Sequence, residues 1–186
     1  MTDIPHIMVL GVGNILLTDE GFGIRVIEKM QEMYEFPENV SLVDGGVLGI
    51  NLLGVLSETD QLIVVDVIRN SGEPGTLYRI DNDEIPQRIR AKNSLHQIDF
   101  LETMALCRYG LDKVPETVIF GVEPQDIETC GLEMTPAVSA RTDDIISKVL
   151  EELTRMGVSY QKKGAAEHVS CHSLKNCGNQ QQQSCH

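Results

Sequence analysis

Apolar residues along the chain follow two rhythms. Short continuous runs, IMVL at 7–10, LIVVDVI at 62–68 and TVIFGV at 117–122, have the length and β-branched content of strands buried on both faces. Between them the spacing changes. Gly23, Val26, Ile27, Met30 and Tyr34 fall on one helical stripe, and Val138, Ile145, Val149, Leu153 and Met156 on another. The second stripe predicts one long helix that starts at Thr135-Pro136 and stops at Gly157. Val40–Val43 reads as a second strand running into Asp44-Gly45-Gly46, and GINLLGVLSE as another helix. After the loop RNSGEPGT, Thr76–Ile80 reads as a more exposed fourth strand. Residues 81–94 are polar and irregular. Ser94 with Gln97 resembles a capping box opening a helix to about Cys107, with Ile98, Leu101 and Ala105 turned inward. Alternating strands and helices of this kind predict a three-layer α/β/α fold: a mainly parallel, twisted, five-stranded sheet with helices on both faces.

At 186 residues the chain fits one domain, placed at 1–158. Residues 159–186, ending HVSCHSLKNCGNQQQQSCH, lack periodicity and read as a disordered tail. An auxiliary metal site is the alternative there, although no CxxC pair is present. The net charge of −13 argues against a nucleic-acid partner. No apolar run is long enough to span a bilayer, so no membrane partner is expected. The N-terminus lacks a basic n-region and reads as a core strand, which makes a cytoplasmic protein the expectation. Five cysteines in such a chain argue against a disulfide framework. A monomer is the default.

Chemistry concentrates after the first strand, in GVGNILLTDEGFGIRVIEKM at 11–30. A dinucleotide turn needs a third glycine, and Leu16 stands in its place. Asp19 and Glu20 would also repel phosphate at the helix start. An acid in a first helical turn favours the helix dipole, which accounts for one of the pair. Glu20 follows the first strand. Asp66 ends the apolar third strand, where a carboxylate is costly without a partner. His96 stands in a later first turn. Glu20, Asp66 and His96 make a candidate three-donor set for nickel or zinc, though each acid can equally cap a helix and His96 can face solvent. Asp44-Gly45-Gly46 is either a tight turn or a substrate-binding edge. Cys107 and Cys130 have no neighbouring His, and no Gly-x-Ser-x-Gly elbow is present, so neither a cysteine nor a serine protease is expected.

GVGNILLTDEGFGIRVIE, DGG at 44–46, LIVVDVI at 62–68, PGT at 74–76, SLHQ at 94–97 and GVEPQ at 121–125 follow one another in an order that resembles the NiFe-hydrogenase maturation endopeptidases. The resemblance covers about residues 6–157 and implies the same sheet-and-helix fold. It implies an endopeptidase that clips a C-terminal extension from the hydrogenase large-subunit precursor after nickel insertion, beyond a Cys-x-x-Cys-x-x-His (or Arg) motif. The metal-contacting Glu, Asp and His of that family match Glu20, Asp66 and His96. Nickel is then the cofactor, supplied by the precursor. Two mechanisms stay open. A protein-bound ion activates water, or the three residues grip the precursor's nickel while Glu20 or Asp66 acts as catalytic base. The second is favoured. A chaperone that checks nickel loading without cutting is the alternative function.

Overall fold

The computed structural model describes residues 4–46, 56, 58–84 and 115–164. The helix expected from Ser94 to Cys107, with His96, and the Cys- and His-bearing tail beyond residue 164 lie outside them. Among the described residues the order is β1 (Ile7–Val12), a 3-10 turn (Thr18–Gly21), α1 (Phe22–Met33), β2 (Tyr34–Glu35), β3 (Val40–Gly46), β4 (Gln61–Val67), β5 (Leu77–Asp81), β6 (Glu116–Val122), α2 (Pro136–Ser139), α3 (Thr142–Arg155) and β7 (Gln161–Lys162).

Five strands form one sheet in the order β3-β1-β4-β6-β5. β3, β1, β4 and β6 are parallel, and β5 joins the edge antiparallel to β6. The apolar runs thus occupy the middle of the sheet, as their continuous hydrophobicity requires. One face, carrying Ile7, Val9, Ile63, Val65, Val118 and Phe120, packs against Phe22, Val26 and Ile27 of α1 and Ile145, Val149 and Leu153 of α3. The opposite face, carrying Met8, Leu10, Leu62, Val64 and Ile119, is met by Leu56 among the described residues. The fold is α/β, a mainly parallel five-stranded sheet with helices packed on it.

The last helix differs from the expectation of one long rod. It breaks at Ala140–Arg141 into α2 and α3. The Arg141 N–H turns to the Val138 carbonyl, and the Thr142 hydroxyl donates to the Ser139 carbonyl at 2.9 Å. These local bonds replace the regular ladder, a competition that apolar spacing does not report.

The stop at Gly157 is as expected. Gly157 has φ +84°, Val158 N–H reaches the Leu153 carbonyl, and Gly157 N–H reaches that of Thr154, which is a Schellman closure. A side chain here would meet nothing within 4 Å. Gly157→Ala therefore tests backbone conformation alone and is expected to cost about 1 kcal/mol. Thermal unfolding should show a fall in Tm of about 2–4 °C.

Beyond α3 the chain pairs again, Glu35 with Gln161 and Tyr34 with Lys162. Tyr160 packs edge-on against Tyr34, ring centroids 5.7 Å apart. Residues Tyr160–Lys163 are thereby fixed at the end of the sheet where β3 begins.

Candidate active site

In an open α/β sheet the ligand crevice lies beyond the carboxyl ends of the strands, where the winding reverses. Here β1 leads through α1 to β3 on one side, whereas β4 lies on its other side and continues the sheet towards β6. The reversal falls between β1 and β4. Glu20 sits in the turn that follows β1, and Asp66 is the penultimate residue of β4. The two candidate acids therefore flank the switch point. Register places Gly11 level with Asp44 on β3 and Val65 on β4, with Asp66 level with Gly121 on β6.

The turn carrying Glu20 folds back onto its own strand. The Asn14 N–H donates to the Glu20 carbonyl at 3.1 Å, and Gly13 N–H donates to the Gly46 carbonyl at 3.2 Å. Gly13 has φ +139°, and a Cβ on it would lie 1.8 Å from the Glu20 carbonyl oxygen. Gly13 thus makes room for the Glu20 backbone, and Gly11 makes room for α1, where a Cβ would lie 2.4 Å from the Gly23 carbonyl oxygen.

Asp19 and Glu20 have separate fates. Asp19 is fully buried, while Glu20 is half-buried. The Asp19 carboxylate accepts from Gln125 N–H and Asp126 N–H at 2.9 Å, from Thr135 N–H at 2.7 Å and from the Thr135 hydroxyl at 3.0 Å. It ties the turn to a loop more than a hundred residues away. Asp19 N–H and the Thr18 hydroxyl both donate to the Asp126 carbonyl, which doubles the tie.

Asp66 is also half-buried, and its Oδ1 accepts the Val67 N–H at 2.7 Å. Alternation along β4 puts it on the face of Leu62 and Val64. The chain then enters the loop 69–76, which is held by an acid that sequence reasoning passed over. Glu123 is buried and accepts from the Asn70 N–H at 2.9 Å and the Tyr78 hydroxyl at 2.7 Å. Its backbone bonds both ways with the same loop: Gly75 N–H donates to the Glu123 carbonyl, and Glu123 N–H to that of Thr76. Burial pushes this carboxyl up, but the Tyr78 hydroxyl and the N–H groups of Asn70, Gly72 and Ser71 outweigh it and hold the group below its ordinary value.

A depressed folded-state value means that Glu123 stabilises the protein fully above the unfolded carboxylate range, about pH 4.3. That contribution is lost as pH falls through the lower folded value. Glu123→Gln should therefore destabilise at pH 7, and the gap from the unaltered protein should narrow by pH 3. Urea titrations at the two pH values measure it, and a constant gap would contradict the assignment.

Asp44, Gly45 and Gly46 continue β3 to its end. Asp44 Oδ1 accepts the Gly46 N–H at 2.9 Å, and Gly46 has φ +45°. Gly45 is buried where a Cβ would come within 2.8 Å of the Leu10 side chain. The turn role is thus visible, and Asp44 remains exposed beside it. Cys130 is exposed on the loop that Asp19 holds. A polar groove lined by Gln61, Glu116 and Arg155 lies at the opposite edge, where β4 and β6 begin.

Comparison with known proteins identifies the family. Residues 24–152 match the model of the hydrogenase maturation protease family, HycI. The chain is 38% identical over 168 residues to the hydrogenase expression/formation protein HoxM of Azotobacter vinelandii, covering 89% of this chain and 81% of that one. It is 35% identical over 154 residues to the hydrogenase 2 maturation protease of Escherichia coli strain K12, covering 82% and 93%. The chain belongs to the hydrogenase maturation protease family. The solved structure of the hydrogenase maturating endopeptidase HybD from E. coli superposes with a TM-score of 0.79 at 34% identity, covering 85% of this chain and 98% of that one. The protease fold expected from the sequence motifs is therefore present. No described helix is long and apolar enough to cross a membrane.

Proposed function

We propose that this protease removes the C-terminal extension of a NiFe-hydrogenase large-subunit precursor once nickel has been inserted. The observation that carries this reading is the placement of Glu20 and Asp66 on either side of the switch point, in a chain of this family. Their carboxylates, with the imidazole of His96, are oxygen and nitrogen donors suited to a borderline ion such as nickel. The fit is one of donor chemistry: Glu20 in the turn after β1 and Asp66 near the end of β4 both bring carboxylate oxygens to the same end of the sheet. His96 itself lies outside the described residues.

On this reading nickel belongs to the substrate. Glu20, Asp66 and His96 grip it in the precursor, which presents the extension to the crevice. Asp66 or Glu20 then takes the proton from the attacking water. Asp44, Gly45 and Gly46, at the adjacent strand end, offer backbone and a carboxylate to the bound peptide. A precursor handled in this way meets the protease where both are made, in the cytoplasm, and a monomer suffices.

Affinity tests the handle directly. The protease should bind the nickel-loaded precursor more tightly than the nickel-free form, and Glu20→Gln should erase most of that difference. Equal affinity for the two forms, together with one ion retained by the purified protease alone, would favour a resident ion that activates water. Tight binding without any cleavage would favour a nickel-checking chaperone.

A further inference from the structure

The segment Gly121–Asp126 joins both walls of the crevice. From its two ends it makes bonds in opposite directions. At one end Glu123 accepts from Asn70 N–H and the Tyr78 hydroxyl, and so fixes the loop that follows Asp66. At the other end, the N–H groups of Gln125 and Asp126 donate to Asp19, and so fix the turn that carries Glu20. Pro124 lies between and locks one backbone angle. The strap also begins against β4, since Ile68 N–H donates to the Val122 carbonyl at 2.9 Å and Asp66 pairs with Gly121. β1 and β4 pair directly, with Gly11 level with Val65, so the sheet sets the coarse spacing of Glu20 and Asp66, and the strap ties the turn that carries Glu20 to the loop that follows Asp66.

We propose that this strap trims the Glu20-to-Asp66 gap that the sheet sets coarsely, with Asp19 and Glu123 as positioning residues for the reaction. Neither needs to touch the substrate. Each is a buried carboxylate committed to backbone N–H groups, so each holds a loop without side-chain freedom. The chemistry demands such a device, because two groups on separate loops must meet one scissile bond. A misplacement of about 1 Å can cost about a hundredfold in rate. This inference rests on the reading of Glu20 and Asp66 as the working pair.

The test compares kcat and KM on the nickel-loaded precursor for Glu123→Gln and Tyr78→Phe, with Asp19→Asn as the severe case. Glu20→Gln and Asp66→Asn serve as controls. Tyr78→Phe removes one hydroxyl and keeps the ring, so it folds even if Asp19→Asn does not. Both Glu123→Gln and Tyr78→Phe should lower kcat, by about tenfold or more for the first, with KM little changed. Their unfolding temperatures should remain above the assay temperature, so the lost rate belongs to folded protein. Unchanged kcat per folded molecule with a lowered Tm would overturn the proposal and leave the strap a stability element only. If the controls themselves retain full activity, the working pair is wrong and the proposal falls with it.

Discussion

Asp66→Asn is expected to abolish measurable processing while leaving the fold in place. Asparagine keeps an oxygen for the Val67 N–H, which Asp66 Oδ1 accepts at 2.7 Å. It loses the charge and the ability to take a proton. A catalytic base contributes about 10²–10⁴-fold to rate, and loss of metal contact adds to that. Stability should change by less than about 1 kcal/mol, because Asp66 is half-buried and its local bond survives. Glu20→Gln should behave alike. Time courses of precursor cleavage beside urea unfolding measure both quantities. Full activity in either variant would remove that acid from the site.

Gly13→Ala should do the reverse, removing the fold of the turn and activity with it. The added methyl would lie 1.8 Å from the Glu20 carbonyl oxygen, on a residue with φ +139°. That oxygen accepts the Asn14 N–H, so the turn cannot step aside without breaking its own closure. Steric conflict and backbone strain together should cost about 4 kcal/mol or more. Gly164→Ala is the control, since a methyl there meets nothing within 4 Å and should be neutral. Urea unfolding of the two variants decides it. A Gly13→Ala protein as stable as the unaltered one would contradict the described turn.

The central strands were legible because a strand buried on both faces is a continuous apolar run, as IMVL, LIVV and VIF are. Asp66 stood out for the same reason, as a carboxylate closing such a run. Glu123 follows directly on the apolar run of β6, but its partners, Asn70 and Tyr78, lie about fifty residues earlier and no local pattern points to them. Asp19 and Glu20 are adjacent acids of similar propensity. Which of them turns inward depends on a loop more than a hundred residues later, and no local pattern encodes that. The break between α2 and α3 was hidden because Val138 and Ile145 are buried on both sides of it, so the apolar stripe continues across. The opposite outcome held at Gly157, where a single residue type signals a single conformation.

The most direct measurement is the intact mass of a hydrogenase large-subunit precursor, loaded or not loaded with nickel, after incubation with the purified protease. The account predicts loss of one defined C-terminal peptide from the nickel-loaded precursor and no change in the nickel-free one. Cleavage of both forms alike, or of neither while a complex forms, would contradict it.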